Sequence, residues 1–192
     1  MPWEKQFDHD AALSKAMGTF WAQGYDATSM QDLVECMGIN RGSLYASFGD
    51  KRSLFIEALR RYDAVYREGW VNRLVKSHGP RGAIAAAFDE AIAAVQGGSN
   101  DGCLLVNTAL ELSPHDDEIS AIVDHGLAEM EQFFCDMIER GQAAGEIPAH
   151  VVSVDAARGL LSLFIGLRVL SRSRPEASLL RSVANQAGAL LT

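Results

Sequence analysis

The stretch that decides the fold is INRGSLYASFGDK, Ile39 to Lys51. Asn40 is a strong N-cap residue, because its side-chain oxygen accepts from an early backbone N–H that has no partner inside the helix. Ile39 just before it and Leu44 four residues after it have the spacing of a hydrophobic staple. Gly49 ends this short helix, and Asp50 caps the one that follows. The helix has two unlike sides. Arg41, Gly42 and Ser43 are short or polar, whereas Leu44 and Phe48 are apolar and suited to packing. That is too polar for a core helix and too strongly capped for a loop.

Upstream, a second helix is expected to open at Thr28, with Gln31 three residues on as a capping box. Met30, Leu33, Val34 and Met37 then recur at i, i+3, i+4 and i+7, the apolar stripe of a helix lying on a core. Gly38 stops it as a left-handed C-terminal cap would. A first helix fits about 7–24, with Leu13, Ala16, Met17 and Phe20 on one face. A fourth runs about 50–77, with Phe55, Leu59, Tyr62 and Tyr66 along one side, and spans roughly 40 Å at 1.5 Å per residue.

Beyond it, breakers divide the chain. HGPRG opens an alanine-rich helix near 80–96, and GGSND precedes a short one at 102–112. SPHDDE starts a long helix, 114–143, with Ser113 as its cap and Pro114 in the first helical position. GEIPAH and SRP bound an apolar helix at 153–171 and a last one at 175–191. No sustained period-2 alternation is present, so the expected class is all-α, with about nine helices.

The 192 residues suffice for a sizeable core, and 22% charged residues with 48% apolar ones are ordinary for a globular chain. No apolar run approaches the ~20 residues of a membrane span, and the acids Glu4, Asp8 and Asp10 do not suit a signal peptide, so a cytoplasmic protein is expected. Three cysteines at wide spacing give neither a disulfide framework nor a zinc pattern. The net charge of −8 is unevenly placed: residues 1–76 hold ten basic and ten acidic side chains, and residues 77–192 hold seven and fifteen. The N-terminal part can therefore still present a basic face.

Two short helices joined by a tight turn, Met37-Gly38-Ile39, form a helix-turn-helix pattern, which lays its second helix in the major groove of DNA. The polar side of NRGSLYASF can then approach base edges while Leu44 and Phe48 pack behind. Tyr45 and Ser47 can reach phosphates through their hydroxyls, although Tyr45 equally suits half-buried packing. Lys51, at the start of the next helix, opposes the helix dipole unless a phosphate lies there.

Residues 7–55 resemble the DNA-binding domain of the TetR/AcrR family of one-component bacterial repressors. The matching signature is F..QGYDATSMQDLVECMGINRGSLYASFGDKRSLF. The resemblance implies a DNA-binding domain over 1–53 and a helical effector-binding and dimerisation domain over 54–192. It also implies a homodimer, binding a palindromic double-stranded operator and released by a small-molecule effector. The DNA-facing residues would be Thr28, Ser29, Asn40, Arg41, Gly42, Ser43, Tyr45, Ser47 and Lys51. Two departures stand out: Ser47 occupies a position where the family often has histidine, and the N-terminal arm carries only Lys5.

The apolar segment ARGLLSLFIGLRVLS, with Gly159 and Gly166 allowing close approach, suits a dimer interface over 153–191 through positions such as Leu163 and Leu167. Trp70, Phe88, Cys103, Met130, Phe134 and Phe164, with Phe133 and Met137, are candidates for an effector pocket; few charges fall among them, which favours an apolar or neutral ligand. Cys103 opens the short helix of DGCLLVNTALEL. The helix dipole would favour a reactive thiolate there, whereas Asp101 and the following Leu-Leu-Val favour a buried, inert thiol. His115, Asp116, Asp117 and Glu118 are consecutive, so they point in different directions. They serve a helix N-terminus better than a metal, and no cofactor, metal or catalytic motif is expected.

Overall fold

A computed structural model describes residues 7–98 and 100–192, all of them in helices and the turns between. The helices are α1 (His9–Gln23), α2 (Met30–Met37), α3 (Arg41–Phe48), α4 (Lys51–Arg61), α5 (Gly69–Ser77), α6 (Pro80–Gln96), α7 (Leu104–Glu111), α8 (Asp117–Ala143), α9 (Ser153–Ser173) and α10 (Ala177–Ala189). A π-helical stretch, Tyr62–Glu68, joins α4 to α5 without a break. Counting that rod once, nine helical rods stand among the described residues. The side chain of Tyr66, expected on the rod's apolar line, lies outside the described residues, as does Lys5.

The start and stop signals act largely where the sequence places them. Asn40 Oδ1 accepts from the Ser43 amide at 2.8 Å, and Asp50 Oδ1 accepts from the Ser53 amide at 2.8 Å. Gly38 adopts φ 71°, ψ 28°, a left-handed conformation that costs a residue with a Cβ extra energy. Two caps differ from expectation. The box on α2 is built one residue later: Ser29 Oγ accepts from the Asp32 amide and Asp32 returns a bond to the Ser29 amide. Thr28 is fully buried instead, with its hydroxyl donating to the Gly24 carbonyl at 2.6 Å. On α8 the cap is Asp116, which accepts from the Glu118 and Ile119 amides. Ser113, expected as that cap, has a buried hydroxyl with no partner among the described residues.

Two apolar cores result. The first joins α1–α4 and reaches into α7 and α8 through Leu104, Leu105, Ile119 and Val123; Phe20 sits edge-on to Phe55 at 5.0 Å in its middle. The second joins α5, α6, α8, α9 and α10 around Phe88, Phe134, Leu160 and Leu167. Truncating a ring such as Phe55, 1% exposed, to alanine would cost ~3–5 kcal/mol. Within the π stretch, Arg67 and Asp63 form a buried two-bond ion pair. Helix α8 passes close to this pair at Gly126, where a Cβ would come within 3.1 Å of Asp63 Oδ1 and 2.6 Å of Leu105 Cδ1.

Polar contacts tie the first core's outer rim to α7–α9. Arg52 donates to both Asp116 oxygens at 2.6 and 2.9 Å, and Arg52 and Arg60 share Glu118. The Arg52 guanidinium, followed by the amide of Ile119, holds the Asp116 carboxyl down at about 2, against an ordinary 3.8. A depressed carboxylate stabilises the fold above its unfolded value and loses that contribution as pH falls towards the folded one. Asp116→Asn retains a capping side chain but removes the charge. Its melting temperature should lie below that of the unaltered protein between pH 5 and 7. The gap should narrow below pH 4 and close near pH 2; a gap independent of pH would contradict the ion pair's role.

Candidate nucleic-acid interface and cavity

Helix α3 turns its apolar side inward, where Leu44 is fully buried and Phe48 is 2% exposed. Its outer side carries Asn40, Arg41, Gly42, Tyr45, Ala46 and Ser47, all exposed, with Ser43 half-buried. Tyr45 is 47% exposed, which favours the solvent-facing reading of that residue. No side-chain ion pair holds Arg41 among the described residues, so its guanidinium can reach outward from the helix's first turn. Asn40 is committed to capping through Oδ1, which leaves its amide N–H groups for another acceptor. Ser29, exposed at the start of α2, accepts from Asp32 and keeps a hydroxyl proton to donate. Thr28 differs from this set: its amide and hydroxyl both donate within the α1–α2 turn, to Tyr25 and Gly24.

Lys51 shows how its unfavourable helix-end charge is tolerated. Its Nζ lies over the Tyr25 ring, 4.3 Å from the centroid. Burial, followed by the nearby Asp50, raises the Tyr25 phenol above its ordinary value, so the ring stays neutral beneath the cation. Lys51, the outer face of α3 and the α2 N-terminus thus supply cationic and hydroxyl groups around one short helix.

Behind this surface lies a cavity of about 710 Å³ between the two cores. Four of the six expected residues line it: Trp70, Cys103, Met130 and Phe164. Phe88 and Phe134 do not. They are 1% and 0% exposed and lie a layer deeper, with ring centroids 5.4 and 6.1 Å from Phe164. Phe133 and Met137 are core residues likewise. The charge expectation also fails, because Arg67, Arg73, Glu90 and Arg168 all reach the wall. Sequence reading missed these four and two aromatics from the other core, Trp21 and Tyr62, which meet edge-on at 4.9 Å. For Arg168 a signal existed: it is a lone cation inside the apolar run of α9.

Cys103 is the N-cap position of α7, half-buried, and makes no capping bond through its side chain. Its sulfur accepts from the Tyr62 hydroxyl at 3.4 Å. Burial first, and the sulfur next, push that phenol well above its ordinary range, so it remains a donor. The consecutive acids after Pro114 serve α8 and Arg52, and no group of three or more potential ligands suited to a metal occurs among the described residues.

Comparison with known proteins agrees with this geometry. Residues 12–58 match the family described as bacterial regulatory proteins, tetR family, and residues 80–186 match the tetracyclin repressor-like C-terminal domain. The HTH-type transcriptional repressor ComR of Escherichia coli is 33% identical over 94% of this chain and 87% of its own. The uncharacterized HTH-type regulator YezE of Bacillus subtilis is 31% identical over 79% of each. Among solved structures, a cysteine mutant of the TetR-family regulator CifR, complexed with a 26-base-pair operator DNA, superposes over 100% of both chains. Its TM-score is 0.85, with 29% identity. A helix-turn-helix head, an all-helical body and full-length relatives that are regulators rather than enzymes agree, and the chain belongs to the TetR family of bacterial transcriptional regulators.

Proposed function

We propose that this regulator is a cytoplasmic homodimeric repressor that binds a palindromic operator through α3 and leaves it when a small molecule occupies the cavity. Residues 1–53 serve as the reading head and 54–192 as the effector-binding and dimerising body. The observation that carries the reading is the division of α3, with Leu44 and Phe48 sunk in the core while Arg41, Ser43 and Tyr45 face outward. Arg41, Gly42 and Ser43 approach base edges; Tyr45, Ser47, Ser29, Asn40 and Lys51 meet phosphates. Thr28 supports the α1–α2 turn and makes no phosphate contact. Binding to DNA upstream of its own gene, read by electrophoretic mobility, tests the whole reading. Arg41→Ala should cost ~1–3 kcal/mol on the preferred site, and Lys51→Ala should weaken every sequence alike with a shallower salt dependence. Equal affinity of Arg41→Ala and the unaltered protein for the operator would remove Arg41 from base reading.

The dimer would use the outer side of α9 with α10. Leu160, Leu167 and Leu180 are each 0% exposed within a single chain, so they belong to its own core. Gly159 is likewise taken up, since a Cβ there would come within 2.9 Å of Leu190. What stays at least partly exposed is a stripe of half-buried Leu163 and Gly166 with exposed Val169, and Gly166 faces empty space. A second copy approaching closely at Gly166 suits such an apolar stripe. Leu163→Asp should therefore give a folded monomer by light scattering at micromolar concentration. Leu167→Asp, by contrast, should unfold the chain. A monomer from the unaltered protein would overturn the dimer.

Release would follow from a shift between two tilts of the heads. A dimer must hold its two α3 helices near one DNA repeat, about 34–36 Å apart. The cavity touches the head directly through Trp21 of α1, whose ring meets Tyr62, the residue after α4, on the body side of the wall. A ligand that prefers one tilt shifts the population towards it. Crystals of the free and liganded protein should differ in α3 separation; equal separations under a ligand that fully releases DNA would rule this route out.

A further inference from the structure

The cavity's charges do not cancel. Arg67 is matched by Asp63 in the buried two-bond pair. Arg73 is matched by Glu90 at 2.6 Å, and the same carboxylate oxygen accepts from Trp70 Nε1 at 2.7 Å. Arg168 stands apart. Its guanidinium donates to the Gly102 carbonyl, and no carboxylate pairs with it among the described residues. It is half-buried and projects from α9 into the wall alongside Trp21, Tyr62, Leu161, Phe164 and Cys103. A cation facing an apolar cavity without a counter-charge is costly, and an anion brought there relieves it. The guanidinium carries five N–H donors in a planar fork, enough to keep the Gly102 carbonyl and still grip a carboxylate.

We propose that the cavity takes a small organic anion. A carboxylate would engage Arg168, and an aromatic or aliphatic body would lie along Trp70 and Phe164, whose rings stack at 5.8 Å and 20°. The assignment rests on the reading of this cavity as the effector site. Its volume of about 710 Å³ suits a ligand of this class. Glu90 does not invite a cation instead, because Arg73 already balances its charge and Trp70 and Arg73 both donate to its Oε2.

The test is calorimetric titration of the full-length protein, without DNA, with phenylacetate, 4-phenylbutyrate and decanoate and with the neutral amide of each. At least one acid should bind with about a tenfold or greater preference over its amide, the scale of a charge-assisted bond. Arg168→Gln keeps an N–H donor for Gly102 but loses the charge, and should abolish the preference. Arg168→Lys should retain it. Equal binding of acid and amide to the unaltered protein, an undiminished preference in Arg168→Gln, or no binding of any acid at millimolar concentration would overturn the proposal. Should Arg168→Gln fail to fold, the unaltered protein and Arg168→Lys still decide it. Operator binding is measured separately without ligand, so a failed titration leaves the DNA-binding reading standing. An acid that binds with the stated preference and leaves the operator complex intact strikes the release mechanism instead.

Discussion

Between Phe55 and Leu74 one helical rod passes from the first apolar core into the second, and nearly everything else is arranged around that passage. A regular α-helix turns 100° per residue, so an apolar stripe that fits one core drifts relative to another lying at a different angle. The π stretch Tyr62–Glu68 resets the phase, since wider turns rotate all that follows. The reset places Asp63 and Arg67 inside, and each would be costly alone. They satisfy one another through two hydrogen bonds, and α8 approaches them at Gly126, where an added Cβ would crowd Asp63 Oδ1 and Leu105. The cavity opens beside this stretch, with Tyr62, Val65 and Arg67 in its wall.

Head and body are also joined by bonds that finish helix ends. Helix α1 leaves carbonyls unpaired at its C-terminus, and Arg172 of α9 donates to those of Trp21 and Ala22 at 3.1 and 3.0 Å. Glu111, the last residue of α7, accepts from the Tyr25 and Asp26 amides just beyond. Arg52 on α4 reaches the cap of α8. Each of these bonds replaces a group that water would otherwise solvate, so each is modest in net energy. Their effect is on orientation: the turn after α1 and the start of α4 both hang on the body, and α3 lies between them.

Which features could be read from the sequence follows from how local their causes are. Asn40, Gly38 and Asp50 act on amides and dihedrals within a few residues, and they stand where the pattern puts them. The α2 cap lies at Ser29 and not Thr28, although both can cap, because Thr28 is buried with its hydroxyl donating to the Gly24 carbonyl. The α8 cap moved from Ser113 to Asp116 because Arg52, far away in sequence, holds that aspartate. Composition nominates aromatic residues for the cavity but does not separate wall from core, so it groups Phe88 and Phe134 with Trp70 and Phe164. Trp21 carries no local signal of the cavity, because only its tertiary packing against Tyr62 brings it to the wall. The π stretch left no trace in the apolar period, which reads smoothly through Tyr62 and Tyr66.

Under the proposed release mechanism, the coupling between cavity and head would run through two arginines one turn apart on α9. Arg168 holds the Gly102 carbonyl at the cavity wall, and Arg172 holds the adjoining Asp101 carbonyl together with the end of α1. The short segment before α7 is therefore gripped on one side by a residue a ligand would touch. On the other side it is gripped by a residue that fixes the reading head. A ligand can shift the head only as far as its contacts differ between two arrangements of these groups. Filling the cavity without disturbing Arg168, Trp21 or Tyr62 would tighten the fold and leave the head where it was. On the proposed release mechanism, occupancy alone would not be a signal; the signal would be a change in what the α9 arginines hold.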